Sequence, residues 1–266
     1  MKFKLKVFFA VAIASLQASP VGNPAFPRLI QEGYFIPGSK GVNVRAGYEG
    51  NFVGDARLEQ EKEGSGRVDS FRQSANAGTV TLNVSNRFDF YTVLGASQFN
   101  ADWRFEILED SALAVHRAQL ETLTQFLWGI GTRAILFETP TLTVGAGGRY
   151  SFCQTEPVVL AIDAIEQAVA GTKCRWNEWQ IDLDFAFQID LFTPYVGVTY
   201  SFTHVWIGPF STPISMNDSG VNHFETRQPV GAVIGCSIST GKYFMLNVEA
   251  HLISEEAVTI SGDLRF

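Results

Sequence analysis

The sequence predicts an all-β fold, a transmembrane antiparallel up-and-down β-barrel of about ten strands. Three observations predict it. Apolar and polar residues alternate with period two in runs of about 10 to 14 residues, enough for a tilted strand to cross a bilayer. Short and long connections alternate between these runs. The final run ends on an aromatic residue, Phe266.

Composition fits this class. The chain has 266 residues, of which 46% are hydrophobic and 18% charged. Mean hydropathy is only +0.07, as expected where lipid-facing and lumen-facing residues alternate and cancel. After the N-terminus no run of 18 or more apolar residues occurs, which argues against a bundle of membrane-crossing helices.

Residues 1–18 read as a secretory signal peptide. Lys2, Lys4 and Lys6 precede a short apolar core over residues 7–16, and Ala18 supplies the small residue before cleavage. Removing that leader takes three lysines and no acid, so the formal charge moves from −7 to −10. An acidic mature chain excludes nucleic acid as the expected partner. Residues 19–40 carry Pro20, Pro24, Pro27 and Pro37. They are expected to be an irregular lead-in, either periplasmic or folded into the lumen, ahead of a barrel over 41–266.

Within the barrel, Val42, Val44, Ala46, Tyr48 and Phe52 share one face, and Asn43, Arg45, Glu49 and Asn51 the other. Val80, Leu82 and Val84 repeat the pattern, as do Leu142, Val144, Ala146, Tyr150 and Phe152. So do Ile181, Leu183, Phe185, Phe187 and Ile189, then Val196, Val198, Tyr200 and Phe202. Val230, Ile234 and Ile238, Phe244, Leu246 and Val248, and finally Val258, Ile260, Leu264 and Phe266 complete the series. Short connections fall at 86–89, 138–140, 190–193 and 239–242, rich in the residues turns favour. Long ones fall at about 54–77, 99–121, 154–175 and 207–228, and a short one near 254–256. Both termini then lie on the periplasmic side. The segment 99–121 leaves two options: loop with a helix over 112–123, or two further strands that would make twelve.

By parity, Arg45, Glu49, Arg133, Arg149, Asp182, Asp184, Glu249, Asp263 and Arg265 point inward. Such charges either line a water-filled pore and set ion preference or pair and plug it. Trp128, Trp176, Trp179 and Trp206 lie near strand ends, where interfacial girdles form. Cys153 and Cys174 flank one long connection. A disulfide there would contribute about 3 kcal/mol, and two free thiols are the alternative. Cys236 falls on the lipid-facing parity.

No metal or cofactor motif is expected. His116, His204, His223 and His251 are scattered. His204, His223 and Asp218 are the candidates for a hydrolytic rim site, but no triad pattern supports catalysis. The run from Gly235 to Gly241-Lys242 fails as a phosphate loop, with Cys236 where Gly is needed and Tyr243 where Ser or Thr is needed.

Several stretches carry a family resemblance. They are Pro20-Val21-Gly22-Asn23-Pro24-Ala25, then Arg45-Ala46-Gly47-Tyr48-Glu49-Gly50-Asn51-Phe52-Val53, then Asn86-Arg87-Phe88-Asp89 with Thr92-Val93-Leu94-Gly95-Ala96. Glu178-Trp179-Gln180, Leu191-Phe192-Thr193-Pro194-Tyr195-Val196-Gly197-Val198 and the ending Leu264-Arg265-Phe266 follow in order. Together they resemble the chlamydial major outer membrane protein (porin) family. The chain lacks that family's cysteine clusters near the mature N-terminus, and its external loops are shorter, so a shortened member or paralogue is expected. The resemblance implies an outer-membrane location and passive diffusion of small solutes or ions, with a non-conducting structural or surface-interaction barrel as the alternative. The expected partners are outer-membrane lipid, the barrel-assembly machinery with Phe266 as its signal, and a homo-oligomer, since many relatives are trimers.

Overall fold

A computed structural model describes residues 21–34, 41–61, 66–109, 112–169, 171–208 and 222–266. The expected leader, residues 1–18, lies outside the described residues. The elements are α1 (Phe26–Leu29), β1 (Val42–Ala56), β2 (Leu58–Gln60), β3 (Gly66–Val84), β4 (Phe88–Glu109), β5 (Ala112–Thr122), β6 (Gln125–Glu138) and β7 (Leu142–Thr155). They continue with β8 (Pro157–Ile162), β9 (Ile165–Glu166), β10 (Cys174–Phe187), β11 (Phe192–Ile207), β12 (His223–Thr226), β13 (Val230–Ser239), β14 (Phe244–Leu252) and β15 (Glu255–Arg265).

Ten strands form a closed antiparallel ring: β1, β3, β4, β6, β7, β10, β11, β13, β14 and β15. Closure runs through β1, whose Arg45 lies opposite Arg265 on one side and Thr81 on the other. Every ring strand therefore has two partners, so no open edge faces hydrocarbon.

Period two decides which face each residue takes. Val198 is 56% exposed while Thr199 beside it is 2% exposed. The same contrast separates Val44 from Arg45 and Val248 from Glu249. The exposed residues form the lipid-facing wall and the buried polar ones face the lumen. At its outer rim Trp128 packs on Tyr150 (5.7 Å between ring centres) and Trp179 on Tyr200 (5.4 Å), as in an interfacial girdle. Trp176 is not part of it: this side chain is buried on the inner face. Phe266 lies on the outer wall, its N–H donating to the Val44 carbonyl at 3.3 Å.

The turns on one side are tight. Ser85 and Asn86 both adopt positive φ, 55° and 53°, within the three-residue turn between Val84 and Phe88. The Arg87 N–H closes it on the Val84 carbonyl at 3.0 Å.

On the other side the described parts of the expected long loops are largely strand. β4 has 22 residues, about twice what a tilted strand needs to cross the bilayer. Its first half pairs with β6 and its second half with β5. The segment after 112 is thus strand rather than helix. Its residues keep period two, with Leu113 and Val115 exposed and Ala118 and Leu120 buried, and pairing with β4 overrides the helix propensity of its alanines. The ring does not become twelve-stranded, because β5 stacks above β6 along the same β4 partner. β8 continues β7 in the same way and pairs with β5.

Placing a charge on the lipid wall should be costly. Leu183→Arg, near the middle of β10, is expected to lower unfolding free energy by about 2–4 kcal/mol, read by urea denaturation in lipid vesicles. An effect below about 0.5 kcal/mol would mean that this face does not meet hydrocarbon.

Candidate functional site in the lumen

The lumen is occupied by the chain's own residues 21–30, and residues 31–34 continue them out to the turn at Gly241. Val21, Ala25, Phe26, Leu29 and Ile30 are all buried, packed with Ala186, Tyr195, Val233 and Met245 of the wall. Internal hydrogen bonds are confined to residues 23–29, so the remaining backbone groups of the segment take partners from the barrel. The Glu249 carboxylate accepts from the N–H groups of Val21 and Gly22 at 2.7 and 2.8 Å. The guanidinium of Arg133 donates to the Val21 carbonyl at 2.9 Å, Arg45 to Phe26 at 2.7 Å and Arg265 to Ile30 at 2.8 Å. Asn83 donates to the Pro27 carbonyl and the Ser239 hydroxyl to that of Leu29. Gly22 has φ +75°, and a Cβ there would fall 2.5 Å from the Arg133 guanidinium. A side chain at 22 would displace either the segment or that arginine.

Five of the inward charges, Arg45, Glu49, Arg133, Arg149 and Glu249, are held in ion pairs. Arg149 holds Glu49 through two hydrogen bonds at 2.7 and 3.1 Å. Arg45 is bonded to Asp89, and Arg133 lies 3.7 Å from the same carboxylate while covering the Phe26 ring at 4.5 Å. Glu249 also accepts from the Tyr195 hydroxyl and contacts His251 at 3.1 Å. Asp182 and Asp184 stand two apart on β10. Asp184 fills the space over Gly197, where a Cβ would collide with its carboxylate. Asp263 is half-buried above Gly47 beside Thr79. Between segment and wall remains a cavity of about 30 Å³ lined by Gly22, Phe26, Arg45, Glu49, Arg133 and Arg149, room for about one water.

Above this polar belt the inner face turns apolar. Phe71, Phe99, Trp103, Phe105, Leu120, Leu160, Trp176, Val205 and Phe224 belong to one buried cluster, with Trp103 and Phe224 rings 5.3 Å apart. It is built from β3, β4, β5 and β8 facing β10, β11, β12 and β2. The far end of the lumen is thereby closed by a dry core.

Cys153 and Cys174 sit in this core as free thiols, so the bond expected from the sequence is not made here. The register explains it: Cys174 lies opposite Thr155 and Cys153 opposite Trp176. Diagonal neighbours of that kind stand about 7–8 Å apart, somewhat less between Cβ atoms, and a disulfide needs a Cβ–Cβ distance of about 3.5–4.5 Å. Cys236 is half-buried on the outer wall, opposite Pro194 and Val248.

Of the candidate rim residues, Asp218 lies outside the described residues. His204 and His223 are close, with ring centres 6.2 Å apart. His116 contacts Asp163 instead, and His251 is buried within the lumen. Gly235 lies within β13, with Gly241 and Lys242 in the turn after it.

Sequence parity missed Asp89, whose place in a turn-like stretch hid its role as partner of Arg45 and Asn83. The signal was there: Phe88 and Phe90 on either side are outward, which sends Asp89 inward. Tyr195 and Asn247, which complete the Glu249 network, carry no charge and gave no such signal.

No family model matches the chain. It is 25% identical over 382 aligned positions to a major outer membrane porin of Chlamydia pneumoniae, covering 98% of each. It is 26% identical over 388 positions to the serovar F major outer membrane porin of Chlamydia trachomatis, again covering 98% of each. Because the chain has 266 residues, those relatives carry insertions that it lacks. Among solved structures, an outer membrane channel from Pseudomonas putida F1 superposes with TM-score 0.42 at 9% identity, over 89% of this chain and 100% of that one.

Glu49→Ala should leave the Arg149 guanidinium buried and uncompensated, at a cost of about 3–5 kcal/mol. Combining Glu49→Ala with Arg149→Ala should recover part of this in a double-variant cycle with the two single variants, read by urea unfolding. Additive losses would show that the two side chains act independently.

Proposed function

We propose that this chain belongs to the chlamydial major outer membrane porin family and that it passes small solutes or ions once residues 21–30 leave its lumen. The observation that carries this reading is the nature of the occupant. It precedes the first strand and is bonded to the wall mainly by side chains, not as a strand of the sheet, so it can depart while the ring of backbone hydrogen bonds stays whole. If the leader is removed after Ala18, Ser19 becomes the free end of that segment, and its only covalent tether is the stretch that leads into β1.

Departure would leave Glu49, Arg149, Arg45, Arg133, Asp182, Asp184, Glu249, Asp263 and Arg265 around a water-filled passage, where rings of both signs would set ion preference. A ten-stranded ring is narrow, so the solutes are small. The apolar core above must part as well, and its extramembrane strands lie where the sheet is not held by lipid. Porin relatives fit a role without catalysis, and no cofactor is invoked. Assembly would proceed through the last strand, with Phe266 as the signal to the barrel-assembly machinery. A homo-oligomer would use the lipid-facing wall.

The test is single-channel recording in planar bilayers. The refolded wild-type chain is expected to show rare, brief openings. Deleting residues 21–34 should raise open probability by about tenfold or more, equivalent to about 1.4 kcal/mol. Gly22→Val should act in the same direction by displacing the segment without shortening the chain. Adding Trp103→Ala to the deletion loosens the apolar core. If that doubly altered barrel folds, runs heat-modifiably on gels and still passes no current, the porin reading is lost. What remains then is a non-conducting surface barrel.

A further inference from the structure

We propose that Glu61, His204 and His223 form a binding site for a divalent transition-metal ion of the zinc class on the external rim. Their ligand atoms all lie within 4.8 Å of one another. Each comes from a different stretch of the sheet rim. His204 is on β11, His223 begins β12, and Glu61 directly follows β2.

The register places them on one face. Trp206 lies opposite His223 and His204 opposite Glu225, so the two histidines are diagonal neighbours. The Glu61 N–H donates to the His223 carbonyl at 3.0 Å, which extends the β2–β12 ladder by one residue. Alternation turns the side chains outward: Leu58, Gln60 and Phe224 are buried, so Glu61 and His223 take the opposite face. His223 Nδ1 already lies 2.9 Å from Glu61 Oε2, and the two imidazoles are nearly perpendicular, at 89°.

The donor set selects the ion. Two imidazole nitrogens and one carboxylate oxygen suit zinc and its neighbours, whereas calcium and magnesium take shells of oxygen. Metal bonds of about 2.0–2.1 Å in a tetrahedron put ligand atoms about 3.3 Å apart. Closing from 4.8 Å needs only side-chain rotation, and these side chains are half-exposed or exposed. Glu59 and Glu225, cross-strand partners on the same outward face, add negative charge that favours a cation. Three protein ligands leave a fourth position for water.

The ion would join segments far apart in the chain. β2 meets β12 through three residue pairs, and β12 meets β11 through three. Leu58 and Phe224 from these short strands reach into the apolar core beneath, so a bound ion would staple the flap that covers it.

Tag-free, refolded full-length chain in detergent is titrated with Zn²⁺ alone, and with Co²⁺ as a spectroscopic probe. One saturable ion per chain is expected, with visible Co²⁺ bands of a tetrahedral nitrogen and oxygen site, and no competition from millimolar Mg²⁺. Glu61→Gln, on an exposed residue that leaves the fold intact, and His223→Asn should each weaken binding by at least about tenfold. His116→Asn should leave it unchanged. Zn²⁺ should also slow hydrogen exchange in β2 and β12 of the wild type and not of Glu61→Gln. Absence of a saturable ion, or equal binding by wild type and both site variants, would overturn the proposal.

Discussion

A backbone amide facing hydrocarbon has no water to bond, so a sheet in a bilayer must close on itself. The rest of this structure depends on that requirement. It fixes two partners for every ring strand and makes β1 bridge β15 and β3. It also assigns each residue to lipid or lumen by parity alone. Val44 and Arg45 are neighbours in the chain and belong to different solvents because the pleat places them on opposite sides.

Closure at ten strands creates a second demand. The interior is too narrow to hold buried charges far apart in water, so they must find partners across it. The wall does this in two ways. Arg149 with Glu49, and Arg45 with Asp89, neutralise one another. Glu249, Arg133 and Arg265 instead satisfy the backbone of residues 21–34. That segment lacks regular secondary structure except for the single turn of α1, and the barrel supplies the hydrogen bonds it cannot make itself. Wall and occupant therefore complete each other.

Beyond the membrane the constraint relaxes, and the sheet behaves like that of a soluble protein. Strands lengthen, exchange partners and pack inner faces into an apolar core. β4 shows the transition within one strand, passing from β6 to β5 as a partner while its inward side chains change from Ser97 to Phe99, Trp103 and Phe105. The same rearrangement folds β2 and β12 against β11 and brings Glu61 beside two histidines more than a hundred residues away.

The sequence by itself determined the ring. Alternation at 42–52, 181–189 and 196–202 reported which residues meet lipid, and the turn residues at 86–89 and 239–242 reported where the chain reverses, because both signals are local. It also named nine inward charges, since parity is local too. It did not determine which of them pair, that Asp89 joins them, that Trp176 turns inward, or that 112–122 is strand. Those outcomes depend on what stands across the lumen or on the neighbouring strand. Arg149 meets Glu49 across 100 residues and Glu249 meets Val21 across 228, and no pattern in a window of ten residues records a partner that distant. Only closure of the sheet brings such groups within bonding distance, and so the tertiary structure alone decided that the lumen is filled.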